Sequence, residues 1–526
     1  MLQNAFLLFF AVFWMAMYIL DAVVKASRYG LKYAEFLGKH GVTISTAQIG
    51  WFTTYFNRFF IKIGSKQSTF FKIWFSIGVV FSLVLLIMSM FLLLMIIFNT
   101  FTGYSVEQQI LTPVMPGINL PMNQVWFYLI TLLVCGVLHE VGHALAAVGE
   151  DIRVNGFGIF LLLLYPGAYV DVCPHHVQSI SAMRQLRIYC AGVWHNIVIV
   201  LLAVAFLICF PTFISLFYYS GRGVLVTRVN SDSPISGVSG VQVSDVIVQL
   251  DDCHVMNMNQ WMNCITTVTK STMSGYCVQK EIFHDFIVNV SNKTDADQLE
   301  DCCRDNSDGL LCFRHNHSNN KFGCLRARNV VEGRRCQQDE ECRTSSHDDK
   351  HFGDRNFNSD DDNDINHINI NFAGSKNVTR NHLKRMSAIC IHPHVDNVTW
   401  LVKVIYDDAN NKQPLLFLGH PYDLFYSLSV SDYQPKWNYL PLHLPYILET
   451  FCKYLISLSG ALAIMNVIPC YALDGQWITQ ATYNLLLPHL TSNKFIRDVT
   501  YTGTIMFGTA LILVNVAIAF CTLFLR

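Results

Sequence analysis

Apolar and polar residues are distributed very unevenly along this chain. Residues 4–24, 73–98, 122–147 and 188–218 are dominated by large apolar side chains, residues 223 to about 440 are polar, and apolar runs return from 444 onward. A helix of about 20 apolar residues crosses the roughly 30 Å hydrocarbon layer of a bilayer. The pattern therefore predicts a polytopic α-helical membrane protein in which two membrane halves flank one aqueous insert. Four segments follow: N-terminal membrane segments with a basic loop (1–100), a first membrane half (101–222), the polar insert (223–440) and a second membrane half (441–526). Residues 73–98 fit either one tilted span or a tight hairpin of two short ones. Residues 4–24 lack the charged start and the A-x-A cleavage pattern of a signal peptide, which predicts an anchor.

Interruptions in the apolar runs are as informative as the runs. The prolines of residues 113–121, PVMPGINLP, exclude regular helix and predict a structured loop. Residues 155–171, NGFGIFLLLLYPGAYVD, hold an apolar run too short to cross and broken at Pro166 and Gly167. A re-entrant element or membrane-buried hairpin is expected there, because irregular backbone at membrane depth must be covered by protein. Residues 181–187 supply a basic start to the span of residues 188–218. In the insert, VLVTRV and DVIVQL alternate as strands around a turn at 232–234, and strand patterning returns at 400–406 and 415–418. Residues 351–371 are rich in Asp and Asn and predict a disordered or glycosylated loop. The run from Asp360 to Asp364 lacks the central Gly and final Glu of a calcium loop, so it reads as a solvated acidic face.

Composition narrows the class. The 526 residues are 52% hydrophobic and 14% charged with a formal net charge of −1, which excludes a soluble single domain and gives no pull toward nucleic acid. Ten of the 17 cysteines fall in the insert, together with five glycosylation sequons at Asn289, Asn292, Asn316, Asn377 and Asn397. That combination points to an oxidising lumen. Residues 25–72 carry eight Lys or Arg against the single acid Glu35, which the positive-inside rule places in the cytosol.

The chemistry centres on HEVGH, residues 139–143, inside a segment that has no Lys, Arg or Asp from 122 to 147. Two His at i and i+4 project from one helix face and can share a tetrahedral metal. Glu140 then stands beside the ion as the general base that takes a proton from the attacking water, and one Zn2+ is the ion expected of such a hydrolytic site. Ionisable groups at membrane depth cost on the order of 2.5 kcal/mol or more each and are usually functional. In AGVWHN, Gly192 permits close helix contact and Asn196 can hydrogen-bond a neighbouring backbone, while His195 suits packing better than ligation. Further on, NVIPCYALDG interrupts a span at Asn466 and Pro469. Gly475 permits an unwound turn that brings Asp474 to a point as the third ligand, with Asp171 and His195 next in line.

HEVGH, AGVWHN and NVIPCYALDG together resemble the three signatures of the site-2 protease family of intramembrane zinc metalloproteases. PGINLP, QLRIYCAGVWHN, CYALDGQW and the Cys-rich insert resemble most its animal, transcription-factor-processing members. Tyr471 departs from bacterial relatives, which often carry a second proline there. The resemblance implies that His139, His143 and Asp474 bind zinc and that Glu140 activates water. It further implies a helical protease core in the Golgi or endoplasmic reticulum membrane, and substrates that are membrane-anchored transcription factor precursors of the sterol-regulatory and stress-response kinds, cut after a first luminal cleavage. The start of the insert also resembles a PDZ module split by the Cys-rich segment. In it residues 221–224 would form the peptide-end loop, and Ser244 replaces the usual glycine of a glycine-aspartate turn. Two other classes fit parts of the pattern. A membrane metal transporter requires ligands spread along a route, and a non-catalytic membrane receptor has no use for Glu140.

Overall fold

The computed structural model describes residues 2–45, 47–66, 68–101, 120–230, 233, 235, 240–270, 274–288, 303, 309–315, 321–342, 388–396, 398–407, 413–490 and 493–524. The chain forms two compact units, one of residues 1–214 and 445–526, the other of residues 215–444. The five sequons, the acidic run 360–364 and the Asn-rich stretch 351–371 lie outside the described residues, as do all but the end of 113–121 and most of the turn at 232–234.

In the first unit, five helices among the described residues are long and apolar enough to cross a membrane: Thr69–Thr100, Met122–Gly149, Ala191–Ile214, Leu444–Val467 and Lys494–Cys521. The first belongs to one unbroken helix, Ser68–Phe101, so residues 73–98 are a single span and not a hairpin of two. At 1.5 Å per residue its 34 residues run about 50 Å, enough to cross with tilt or to project beyond the hydrocarbon. The basic region before it is structured. It contains the helices Gly30–His40 and Asn57–Lys66 and the strands Val42–Ser45 and Gln48–Thr53. Those strands join Val154–Leu162 and Tyr165–Val172 in a four-stranded antiparallel sheet, in that order. Trp51 lies opposite Ile159, and Phe160 opposite Gly167. The short apolar run of residues 157–164 thus satisfies its backbone sideways, within a sheet, where it is too short to do so as a spanning helix.

Two corrections concern the later motifs. The reading of residues 188–218 as one long span gives way to a short helix, Ala182–Tyr189, a break at Cys190 and then Ala191–Ile214. The span in NVIPCYALDG is not interrupted at Asn466, which lies in the last turn of Leu444–Val467. The break falls at 468–473, where Ala472, not Gly475, takes the left-handed conformation (φ 70°). Gly475 sits in the first turn of the helix Asp474–Leu490, and its missing side chain serves a different purpose. A Cβ there would stand 1.9 Å from the Ile468 carbonyl oxygen, so glycine lets the new helix start against the chain that has just ended the previous one.

Small side chains allow the helices around HEVGH to approach closely: Ala144, Ala146, Ala147 and Ala191 are all buried against Phe71, Phe75 and Trp194. At the helix end Glu150, 2% exposed, receives the Nε of Arg184 at 2.7 Å and the Nε of Arg187 at 2.5 Å. This pairing fastens the C-terminus of Val125–Gly149 to the helix Ala182–Tyr189 and compensates a carboxylate that would otherwise be costly to bury.

Among the described residues the second unit holds two larger sheets and the two-stranded pair of Tyr218–Tyr219 with Gln434–Pro435. In the first larger sheet, the strands run Leu415–Gly419, Trp400–Tyr406, Val246–Leu250, Val224–Val229 and Leu428–Ser431, with Cys253–His254 paired to Val246–Leu250. Its core gathers Val224, Val226, Ile247, Val402 and Val404 against Trp261 and Ile265 of the helix Met258–Lys270. The second sheet orders Ile287–Val288, Lys321–Arg326, Leu310–His315, Ala388–Pro393, Gly275–Gln279 and Arg335–Cys336. Disulfides staple this unit, joining Cys253 to Cys264, Cys277 to Cys342, Cys303 to Cys324 and Cys336 to Cys390. Among the described residues the free cysteines (135, 173, 190, 209, 452, 470 and 521) all lie in the other unit.

Candidate metal centre

The helix Val125–Gly149 presents His139 and His143 from one face, and the start of Asp474–Leu490 brings Asp474 against them. His139 Nε2 lies 3.0 Å from Asp474 Oδ2, His143 Nε2 lies 3.2 Å from the same oxygen, and the two Nε2 atoms are 3.2 Å apart. The remaining ring nitrogens are engaged elsewhere. His143 Nδ1 donates to the Ile188 carbonyl at 2.8 Å, which leaves the Nε2 lone pair facing the cluster. His139 Nδ1 meets the side-chain amide of Asn196 at 3.0 Å. Asn196 is fully buried, and its amide oxygen has no other partner. With the amide turned over, that oxygen accepts from His139 Nδ1–H and again directs an Nε2 lone pair at Asp474.

Three such donor atoms at 3.0 to 3.2 Å from one another repel unless a proton or a metal ion lies among them. A tetrahedral zinc site, with bonds of about 2.0 to 2.1 Å, separates its donors by about 3.3 Å. The His139, His143 and Asp474 group is therefore of the right composition and size to hold a metal ion.

Gly192 makes the approach possible. A Cβ at this position would lie 2.4 Å from His143 Nε2 and 2.5 Å from His139 Nε2, so the helix Ala191–Ile214 passes directly against the two imidazoles. Glu140, next to His139, accepts the Val170 N–H at Oε2 (2.9 Å). Val170 belongs to Tyr165–Val172, an outer strand of the four-stranded sheet. A cavity of about 270 Å3 opens beside Glu140, His143 and Asp474. Val170, Tyr189 and Trp477 form part of its apolar wall, with the last two rings stacked at 6.1 Å.

The other residues singled out from the sequence are placed as follows. Pro469 is buried in the break that precedes Asp474. Asn466 is half-buried and makes no side-chain hydrogen bond to the cluster among the described residues. Asp171 is exposed and His195 turns Nδ1 to the Leu138 carbonyl at 3.1 Å, so neither reaches the three donors. Sequence reasoning missed the Val170 amide and the Ile188 carbonyl, because backbone groups leave no side-chain signature. It also missed Gly142, where a Cβ would stand 2.7 Å from the Ala191 carbonyl oxygen, although this glycine sits inside HEVGH. Tyr189 and Trp477 were visible only as the aromatics flanking QLRIY and DGQW.

Comparison with known proteins agrees with this geometry. The sequence profile of Peptidase family M50 matches residues 127–511, which contain all three motifs. A membrane-bound transcription factor site-2 protease homolog of Arabidopsis thaliana is 27% identical over 456 residues, covering 81% of this chain and 83% of the relative. With the match spanning well over half of the chain, and with a His, His, Asp group placed to hold a metal between apolar helices, this protein belongs to peptidase family M50, the site-2 proteases, and is a multi-pass membrane metalloprotease.

Proposed function

We propose that this protein is an intramembrane zinc endopeptidase with one ion held by His139, His143 and Asp474 and with Glu140 as general base. The convergence of three donors, contributed by helices more than 300 residues apart in sequence, carries the reading. The ion would supply a polarised scissile carbonyl and a more acidic water. Glu140 is next to the ligands but is not one of them, and its carboxylate opens on the cavity. It is placed to take the proton of the attacking water and deliver it to the leaving amine. His143 and His139 are kept in the ligating tautomer by Ile188 and Asn196. Gly192 and Gly475 shape the site by giving room, and Pro469 by its place in the break that precedes Asp474, with Asn466 in the last helical turn before that break.

The substrate reading is a transmembrane helix of a membrane-anchored transcription factor precursor. A helical peptide bond is shielded by its own hydrogen bonds and must unwind before attack. The strand Tyr165–Val172 offers an outer edge beside Glu140 on which an unwound segment would pair by β-addition, taking over the Val170 N–H that Glu140 now holds. Sterol-regulatory and stress-response precursors already shortened on the luminal side are the substrates inferred from the family resemblance.

Orientation follows from counting crossings. If the five candidate helices each cross once, residues 27–67, 150–190 and 468–493 share one face, and residues 102–121 and 215–444 share the other. The first face holds the basic segment, which marks the cytosol. The second holds the disulfides, which form in an oxidising lumen. Two independent signals thus agree on a luminal insert and a site near the cytosolic end of its helix. Such a lumen fits residence in the Golgi or endoplasmic reticulum, with glycans on the sequons. The insert's first sheet would act as a PDZ-like filter for shortened substrates. Ser244 supports this by adopting the positive φ (80°) that a glycine would favour in that turn.

The test pairs two variants with two readouts. Asp474→Asn should lose both zinc, by elemental analysis of the purified protein, and cleavage of a model membrane substrate. Glu140→Gln should keep its zinc and lose cleavage by about 10²-fold or more. Full activity in Glu140→Gln, or unchanged zinc in Asp474→Asn, would overturn the assignment.

A further inference from the structure

The two chain segments that connect the insert to its neighbouring helices are paired and carry an unusual surface. Residues 215–222 follow directly on the candidate span Ala191–Ile214, and residues 434–439 end a few residues before Leu444–Val467 begins. Tyr218–Tyr219 pairs antiparallel with Gln434–Pro435, and the Lys436 N–H donates to the Phe217 carbonyl at 3.0 Å. Tyr218 is buried, and its hydroxyl donates to the Pro441 carbonyl at 2.8 Å, so the two segments are fixed to each other.

On this base the side chains point outward. Leu216 is 62% exposed, Tyr219 40%, Trp437 45% and Tyr439 78%. Trp437 and Tyr439 stack nearly parallel, at 6.0 Å and 6°. Two cations address one ring, with the Arg222 guanidinium 4.2 Å and the Lys436 ammonium 5.1 Å from the Tyr219 centroid. Among the described residues neither cation has a carboxylate partner. A soluble surface has no reason to gather amphipathic aromatics and unpaired cations in this way. The bilayer interface does: Trp and Tyr rings settle at headgroup level, and Lys and Arg find phosphates there.

We propose that residues 215–222 and 434–439 form an aromatic and cationic collar seated in the phospholipid headgroup layer, with Arg222 and Lys436 on lipid phosphates. Continuity with the ends of two membrane-crossing helices argues for the bilayer as the occupant, since both segments lie within a short reach of it. The collar sets the height of the insert at the membrane surface. This inference does not rest on the catalytic reading.

The experiment uses the full-length protein in lipid nanodiscs and takes the difference in tryptophan emission between wild type and Trp437→Phe. Trp437 is partly exposed, so the variant should fold. Lipids carrying a nitroxide on the headgroup should quench this difference emission more than lipids labelled deep in the acyl chain. Reversal of both cations, Arg222→Glu with Lys436→Glu, should reduce that quenching. Absence of quenching by either label, stronger quenching by the deep label, or undiminished quenching in the charge-reversed protein would overturn the proposal.

Discussion

Gly192→Ala is the most economical challenge to the site, because it adds one methyl group and changes no proposed ligand. The new Cβ would meet His143 Nε2 at 2.4 Å, His139 Nε2 at 2.5 Å and His139 Cε1 at 2.6 Å. Ordinary contact begins about 1 Å farther out, and the atoms it meets cannot easily yield. His143 is held by the Ile188 carbonyl and His139 by Asn196, so either an imidazole leaves its anchor or the helix Ala191–Ile214 moves away. Overpacking of this kind costs about 1 to 3 kcal/mol, offset by up to about 1 kcal/mol of improved helix propensity. Stability should therefore fall only modestly. Metal binding should suffer more, since metal sites tolerate displacements of about 0.2 Å, and a fall in zinc affinity of about 10 to 100-fold is expected. Gly136→Ala is the internal control. It lies on the HEVGH helix, where a Cβ would meet only the Ala168 nitrogen at 3.9 Å, and it should leave zinc, cleavage and melting temperature unchanged or slightly improved. The assay is zinc content after dialysis against a weak chelator, measured beside thermal unfolding and cleavage. Normal zinc retention and cleavage in Gly192→Ala would refute the argument that this helix passes against the imidazoles.

Three further outcomes are expected. Asn196→Leu should lower zinc affinity about 10 to 100-fold while the protein stays folded, measured by chelator competition, because His139 loses the partner of its Nδ1. Arg187→Leu should destabilise the membrane unit by about 3 kcal/mol, read from thermal unfolding in detergent, since Glu150 is buried and loses one of its two cations. Replacing Cys277 and Cys342 by Ser should destabilise the insert by about 4 kcal/mol in the chain-entropy account, since that disulfide closes a separation of 65 residues. Protease resistance of residues 215–444 reports it, and unchanged resistance would count against a structural role for the bridge.

Hydropathy marked residues 73–98, 122–147 and 188–218 and the apolar run that opens at 444, where long helices stand, because a spanning helix must write its apolar length into sequence; it did not delimit Lys494–Cys521. Nor did it show the four-stranded sheet. VTIS and QIGWFT are short, sit among basic residues and acquire meaning only by pairing with residues 154–162 far along the chain. The composition of HEVGH and LDG pointed to the donors, yet their spacing said nothing about distance, and 3.0 Å between His139 and Asp474 is a product of the break at 468–473. Gly475 shows how a correct residue can be given a wrong reason. The sequence suggested an unwound turn, and the structure uses the absent side chain for a close approach to Ile468. The cysteines announced disulfides without their partners, because connectivity depends on which strands lie adjacent: Cys277 and Cys390 face each other across a strand pair but bond to Cys342 and Cys336 instead.

The sheet and the metal group are linked by one physical demand. An antiparallel sheet beside apolar helices leaves outward-facing N–H and C=O groups along its outer strands, and in hydrocarbon such groups are expensive to leave without partners. On Tyr165–Val172 the Val170 N–H is satisfied by Glu140, the carboxylate adjacent to the first proposed ligand. The helix that carries HEVGH thus caps the sheet, and the sheet in turn fixes the position of the proposed base. A peptide pairing with that edge would bring its own carbonyl to Val170, release Glu140 from the strand and lie along a cavity that Asp474 and Trp477 also line. Under the proposed function, the backbone demand that makes β-structure rare at membrane depth is what would recruit the unwound substrate to the catalytic carboxylate.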